Sequence, residues 1–183
     1  SSESKTFALF PSSEIPSEME LLQEPMGKFE HTGVEAFFDG VRGSIYGYWE
    51  SYWMGFEANP LELLVKFEPG DIQINKMAIS YLEQTGGRVF PPAKIELWAG
   101  ETPETLKQVH VERYRLPRDH LKPNAEGISL PIPPYQGPYL KLIIHPVKRM
   151  PYWHKDAGKP GRLFIDELFF YREVPEALAR NSR

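Results

Sequence analysis

Three groups of residues in this 183-residue chain could do chemistry. The first surrounds Asp39, in Ala36-Phe37-Phe38-Asp39-Gly40-Val41-Arg42-Gly43-Ser44. Asp39 can accept hydrogen bonds from the backbone just ahead of it, and Gly40 and Gly43 can adopt positive φ. A chain that reverses around a carboxylate turns backbone carbonyls toward one point, which suits a hard cation with oxygen ligands. The plainer reading is an Asp-Gly turn joining two strands. The second group is Asp166 and Glu167, set between Leu163-Phe164-Ile165 and Leu168-Phe169-Phe170. Successive strand residues point to opposite faces, which puts one carboxylate on each apolar face. Buried carboxylates are costly unless paired, hydrogen-bonded or metal-bound. Either one of them completes the oxygen cage begun at Asp39, or one meets Arg42 or Arg162 while the other sits at an edge. The third group is aromatic: Tyr46, Tyr48, Trp49, Tyr52 and Trp53, then Tyr152, Trp153 and His154. Sugars present apolar faces that stack on such rings, ringed by hydroxyls that Arg88 and His154 could meet. A sandwich core needs large residues too, so packing is the competing role.

Other chemistries find no support. His31, His110, His120, His145 and His154 are scattered, with none paired at helical spacing for a metal. There is no glycine-rich phosphate loop and no Gly-x-Ser-x-Gly elbow, and nothing selects a two-carboxylate glycosidase pair. No pattern argues for an enzyme. The formal net charge of −4 gives no basic footprint for nucleic acid. Cysteine is absent, which excludes disulfides and zinc-thiolate sites. No apolar run is long enough for a membrane span, and no signal-peptide pattern is present. The opening Ser1-Ser2-Glu3-Ser4 looks like a cut end, so the chain reads as a fragment or a trimmed mature protein.

The elements that must position these groups are strands. Residues 1–28 are polar and broken by Pro11, Pro16 and Pro25, an expected linker or edge segment in which Glu18 to Gln23 could form a short helix. In Leu61 to Glu68 the odd positions are apolar up to Phe67, predicting a strand with one buried face, ended by Pro69-Gly70. Ile72 to Leu82 follows with Met77, Ile79 and Tyr81 on one face. Lys94 to Ala99 has Ile95, Leu97 and Ala99 inward. Leu106 to Tyr114 is a weaker strand, and between Leu116 and Tyr139 the prolines leave only Gly127 to Ile132 to pair, as an edge. Tyr139 to His145 and Arg162 to Tyr171 complete the set. Near-absence of helix and of βαβ alternation predicts an all-β sandwich over 29–173, with a tail at 174–183.

At this point the residues resemble a known family. Phe38 to Ser44 followed by Trp53-Met54-Gly55-Phe56 is similar to the opening of a discoidin-like domain. The variant concerned stands at the C-terminus of bacterial β-N-acetylhexosaminidases and related multidomain surface proteins. Ile79 to Glu83 with Val89-Phe90-Pro91-Pro92, Lys94 to Gly100, and Met150 to Gly158 with Phe164 to Glu167 resemble its later segments in order. The resemblance implies a galactose-binding-like jelly roll, a five-stranded sheet on a three-stranded one. It implies a non-catalytic carbohydrate-binding accessory module of an exported protein, secreted, periplasmic or at the cell surface, whose partners are a glycan and neighbouring domains of a parent chain. A purely structural or protein-contacting domain is the alternative. The expected ligand contacts are Tyr46, Tyr48, Tyr52, Arg88, Trp153 and His154. The family's structural calcium would fall to Asp39, Ser44 and Glu167. Arg42 stands where the family has a second acid, so if it turns inward to Asp39 or Glu167 it takes the cation's place.

Overall fold

A computed structural model describes residues 13–26, 33–46 and 52–172. Tyr48 and the expected tail therefore lie outside the described residues. Among these residues nine strands form two antiparallel sheets: β1 (Glu18–Leu21), β2 (Met54–Glu57), β3 (Leu61–Lys66), β4 (Lys76–Glu83), β5 (Lys94–Gly100), β6 (Lys107–Arg113), β7 (Asn124–Pro131), β8 (Tyr139–His145) and β9 (Arg162–Tyr171). The first sheet runs β1-β3-β8-β5-β6 and the second β2-β9-β4-β7.

The apolar alternation of β3 decides its register. Leu61, Leu63, Val65 and Phe67 are buried, while Glu62 is half-buried and Glu68 exposed. Each such burial contributes roughly 1.5–3 kcal/mol. Met77, Ile79 and Tyr81 of β4 and Ile95, Leu97 and Ala99 of β5 enter the same core as expected, and Leu140, Leu142 and Ile144 of β8 complete it.

Two points are decided by the structure. Of the readings open for residues 1–28, the edge segment holds for Glu18–Leu21, a strand and not the possible short helix: its antiparallel pairing with β3 runs from Glu18 opposite Lys66 to Leu21 opposite Leu63. Four residues cannot sustain a helix, whereas the edge of β3 offers ready hydrogen bonds. The smaller sheet has four strands among the described residues, because Met54–Glu57 pairs with β9 from Met54 opposite Ile165 to Glu57 opposite Arg162. That stretch is too short to show a period in sequence. β7 is an edge strand, as expected from its prolines.

A third point bears on the site. The pairing of β4 with β9 slips between Ser80 and Tyr81: Ser80 faces Glu167 but Tyr81 faces Ile165. Asp166 is thus the extra residue of a β-bulge, and the alternation of β9 changes phase there. Leu163 and Ile165 enter the core before it, Leu168 and Phe170 after it. Both carboxylates consequently lie on the outer face with Ser80, and not one on each face.

Candidate functional site

Segment 39–44 crosses this outer face and covers the two acids. Asp39 closes a short 3-10 helix, Val34–Phe38, which packs on β9. It accepts the Val41 N–H at 2.8 Å, and Gly40 takes φ +76°, where a side chain would be strained. Gly43 then donates its N–H to Asp166 Oδ2 at 2.9 Å. A Cβ on Gly43 would lie 2.1 Å from the Trp53 indole, so glycine is required here for close approach and not for positive φ. Trp53 itself donates Nε1–H to the Ser44 carbonyl at 3.0 Å and packs with Leu82, Val89 and Phe164.

Asp39 and Glu167 come together as expected. Glu167 is 2% exposed, and its carboxyl is pushed up to about 8. Burial is the largest cause, followed by its hydrogen bond and repulsion with Asp39 and repulsion from Asp166; the Gly40 N–H opposes them. Asp166 is also raised by burial, against the hydrogen bonds of Ser80 and Gly43 and the charge of Arg42. Asp166 Oδ1 and Glu167 Oε1 are buried without a hydrogen-bond partner. Arg42 does not sit between Asp39 and Glu167. Its Nη1 donates to Ser80 Oγ at 3.4 Å and its guanidinium lies 5.9 Å from the centre of the Phe169 ring. Ser44 is turned away, its hydroxyl accepting the Tyr46 N–H at 3.2 Å. Among the described residues no three His, Cys, Asp or Glu side chains are already arranged to hold a metal. The donors nevertheless fit a hard divalent cation in kind: three carboxylates, two orphaned oxygens and one exposed arginine beside them.

The second place of interest is one end of the sandwich. Loops 84–93, 114–123 and 146–161 all leave the sheets there, as the pairings of Glu83 with Asn124 and of Lys94 with both Arg113 and His145 require. The three loops are stitched together. Thr85 Oγ1 contacts His120 Nδ1 at 3.1 Å and accepts the Leu121 N–H at the same distance. His154, 3% exposed, donates Nε2–H to the Thr85 carbonyl at 2.6 Å and accepts the Asp156 N–H on Nδ1 at 2.9 Å. Trp153 stacks on Phe90 at 5.9 Å and meets His120 edge-on at 4.8 Å.

The expected ligand contacts therefore divide. His154 has both ring nitrogens satisfied within the protein. Arg88, held at φ +65°, donates to the Pro160 carbonyl at 2.8 Å and pairs with Glu57 at 3.1 Å, so its guanidinium is a bracket between loops. Trp153 is half-buried packing. Tyr46 and Tyr52 are 81% and 51% exposed. Tyr152 is 94% exposed, on a loop that these contacts make rigid. Tyr152, from the aromatic group of the same loop, is not among the expected contacts. Asp166 joins Asp39 and Glu167 on this face only through the bulge, which leaves no trace in residue types.

No protein-family model matches the sequence, and no curated protein matches it. Solved structures do match. A CBM32 module of a GH89 protein from Clostridium perfringens, in complex with GalNAc-β-1,3-galactose, is 14% identical at a TM-score of 0.53 over 85% of this chain and 94% of that one. The CBM32 of AlyQ, in complex with 4,5-unsaturated mannuronic acid, is 8% identical at 0.52, covering 89% and 100%. The C-terminal domain of a chitobiase from Bacteroides fragilis is 13% identical at 0.50, covering 90% and 99%. The chain shares the galactose-binding-like sandwich of these discoidin-like carbohydrate-binding modules.

Proposed function

We propose that this chain is a non-catalytic carbohydrate-binding module of an exported multidomain protein, contacting glycan through its loop end. The observation that carries the reading is Tyr152. A ring left 94% exposed on a loop pinned by His154 and Trp153 is preorganised to stack on a sugar face. The fold supports the reading, since sandwiches of this type were solved with sugars bound. Among the described residues no helix is long and apolar enough to cross a membrane. One such platform gives weak binding, on the order of millimolar to tens of micromolar. A glycan array followed by calorimetry on Tyr152→Ala and Tyr46→Ala tests it. We expect loss of binding by about tenfold for Tyr152→Ala with the melting temperature unchanged. A chain that binds no glycan would leave the structural or protein-contacting reading in its place.

The same reading includes a structural calcium. Asp39, Asp166 and Glu167 would hold it, Ser44 having turned to local partners. The ion would supply the positive charge that these clustered carboxylates lack, and so tie segment 39–44 to β9.

A further inference from the structure

The connecting loops at the two ends of the sandwich differ in charge. The loops 84–93, 114–123 and 146–161 carry eight Lys or Arg against two Asp, a net +6. The rest of the chain carries thirteen against twenty-three, a net −10, which together give the formal −4. The loops at the opposite end, 67–75, 101–106 and 132–138, contain Glu68, Asp71, Glu101 and Glu104 and no Lys or Arg at all. All four of those acids are exposed.

At the basic end, Arg115, Arg118, Lys122, Lys148, Arg149 and Lys155 are exposed, and none has an ion-pair partner among the described residues. Lys159 is compensated by Asp156 at 3.2 Å, and Arg88 by Glu57. The six cations are spread over two loops that His120 and Trp153 hold against each other, and Tyr152 shares the second loop with Lys148, Arg149 and Lys155. Charges of one sign on a shared, rigid end attract an oppositely charged ligand from beyond contact distance, and the acidic far end repels it. A guanidinium fork matches a planar carboxylate or a sulfate, while the exposed tyrosine offers a face for the ring that bears it.

Resting on the carbohydrate-binding reading, we propose that the ligand is an acidic glycan bearing uronate or sulfate groups, held by Arg115, Arg118, Lys122, Lys148, Arg149 and Lys155 beside Tyr152. The chain is an anion-selective module and not a reader of neutral sugars. Nucleic acid is disfavoured because the chain outside these loops carries a net −10, which opposes a phosphate backbone.

The test titrates the chain at 50 and 300 mM salt with polygalacturonate, with a sulfated glycosaminoglycan, with neutral galactan and chitin oligosaccharides, and with single-stranded DNA. We expect an acidic glycan to bind at least tenfold tighter than any neutral one, weakening several-fold at the higher salt; the uronate and sulfate arms identify the anion. Arg118→Gln and Lys155→Gln should each lose about two- to fivefold at low salt, and Lys107→Gln, at the far end of β6, nothing. All three sites are exposed, so folding is retained. Neutral glycan bound as tightly and without salt dependence would overturn the charge inference while leaving the module reading intact. DNA bound more tightly than any glycan, or concentration-dependent self-association lost in both loop variants, would assign the basic end elsewhere. Binding to none of the glycans would bring down both readings together.

Discussion

Gly43 donates its N–H to Asp166 across 123 residues of sequence, at 2.9 Å. The contact closes the covering segment over β9, and it needs a residue without a side chain at 43. A Cβ there would meet the Trp53 ring at 2.1 Å, and Trp53 is 1% exposed and fixed by its bond to Ser44. Gly43→Ala should therefore lower stability by about 1–3 kcal/mol through overpacking. Thermal melting checks this, and an unchanged melting temperature would mean that segment 39–44 moves freely off the sheet.

Calcium should raise the melting temperature of the wild-type chain, and a chelator should reverse the rise. At a hundredfold excess over its dissociation constant, a ligand bound only by the native state adds about 2.7 kcal/mol. Glu167→Ala should abolish the response. Arg42→Gln should preserve it, because Arg42 is engaged with Ser80 and Phe169 and not with Asp39. A melting curve indifferent to calcium would remove the ion from this site.

Much of this was legible in sequence where period and position suffice. β3 shows its buried face because every second residue is apolar, and Asp39 met Glu167 because the order of family-like segments carries topology. The bulge at Asp166 was not legible. It depends on a one-residue mismatch between two strands, and neither strand alone records it. Arg88 and His154 have the residue types of sugar ligands, but their donors are consumed by carbonyls at Pro160 and Thr85 that only folding brings near. The net charge of −4 concealed the basic end for a different reason: a total has no direction, whereas the loops at each end of the sandwich are sorted by sign.

Glu96 and His145 lie diagonally across neighbouring strands of the larger sheet, Glu96 opposite Ile143 and His145 opposite Lys94, in direct hydrogen-bond contact. Burial works to raise the Glu96 carboxyl, but its hydrogen bond with His145 and the charges of Lys94 and His145 outweigh it. Together they hold Glu96 below the usual carboxylate range. A depressed folded-state value means stability that is present above the unfolded carboxylate range, near pH 4.5, and lost as pH falls through the folded value. The stability gap between wild type and Glu96→Gln should thus be widest above that range and shrink on acidification toward pH 3. Urea titrations at a series of pH values measure it; a gap independent of pH would show the pair to be uncoupled.

The separation of scaffold from contact surface at the loop end makes the last prediction. His154 and Tyr152 are two residues apart, yet one is buried and the other 94% exposed. His154→Ala removes the donor to the Thr85 carbonyl and the acceptor of the Asp156 N–H, and leaves a void beside Phe90 and Trp153. An unsatisfied buried carbonyl costs about 1–3 kcal/mol and the lost packing adds to it. At about 2–4 °C per kcal/mol for a chain of this size, the melting temperature should fall by several degrees. Tyr152→Ala removes almost no packing, so its stability should stay within about 0.5 kcal/mol of wild type. Glycan affinity, measured per folded molecule well below either melting point, should show the reverse order: weakened about tenfold by Tyr152→Ala and little changed by His154→Ala. If His154→Ala abolished binding while leaving stability intact, the histidine would be a sugar contact and its place in the loop would have been misread.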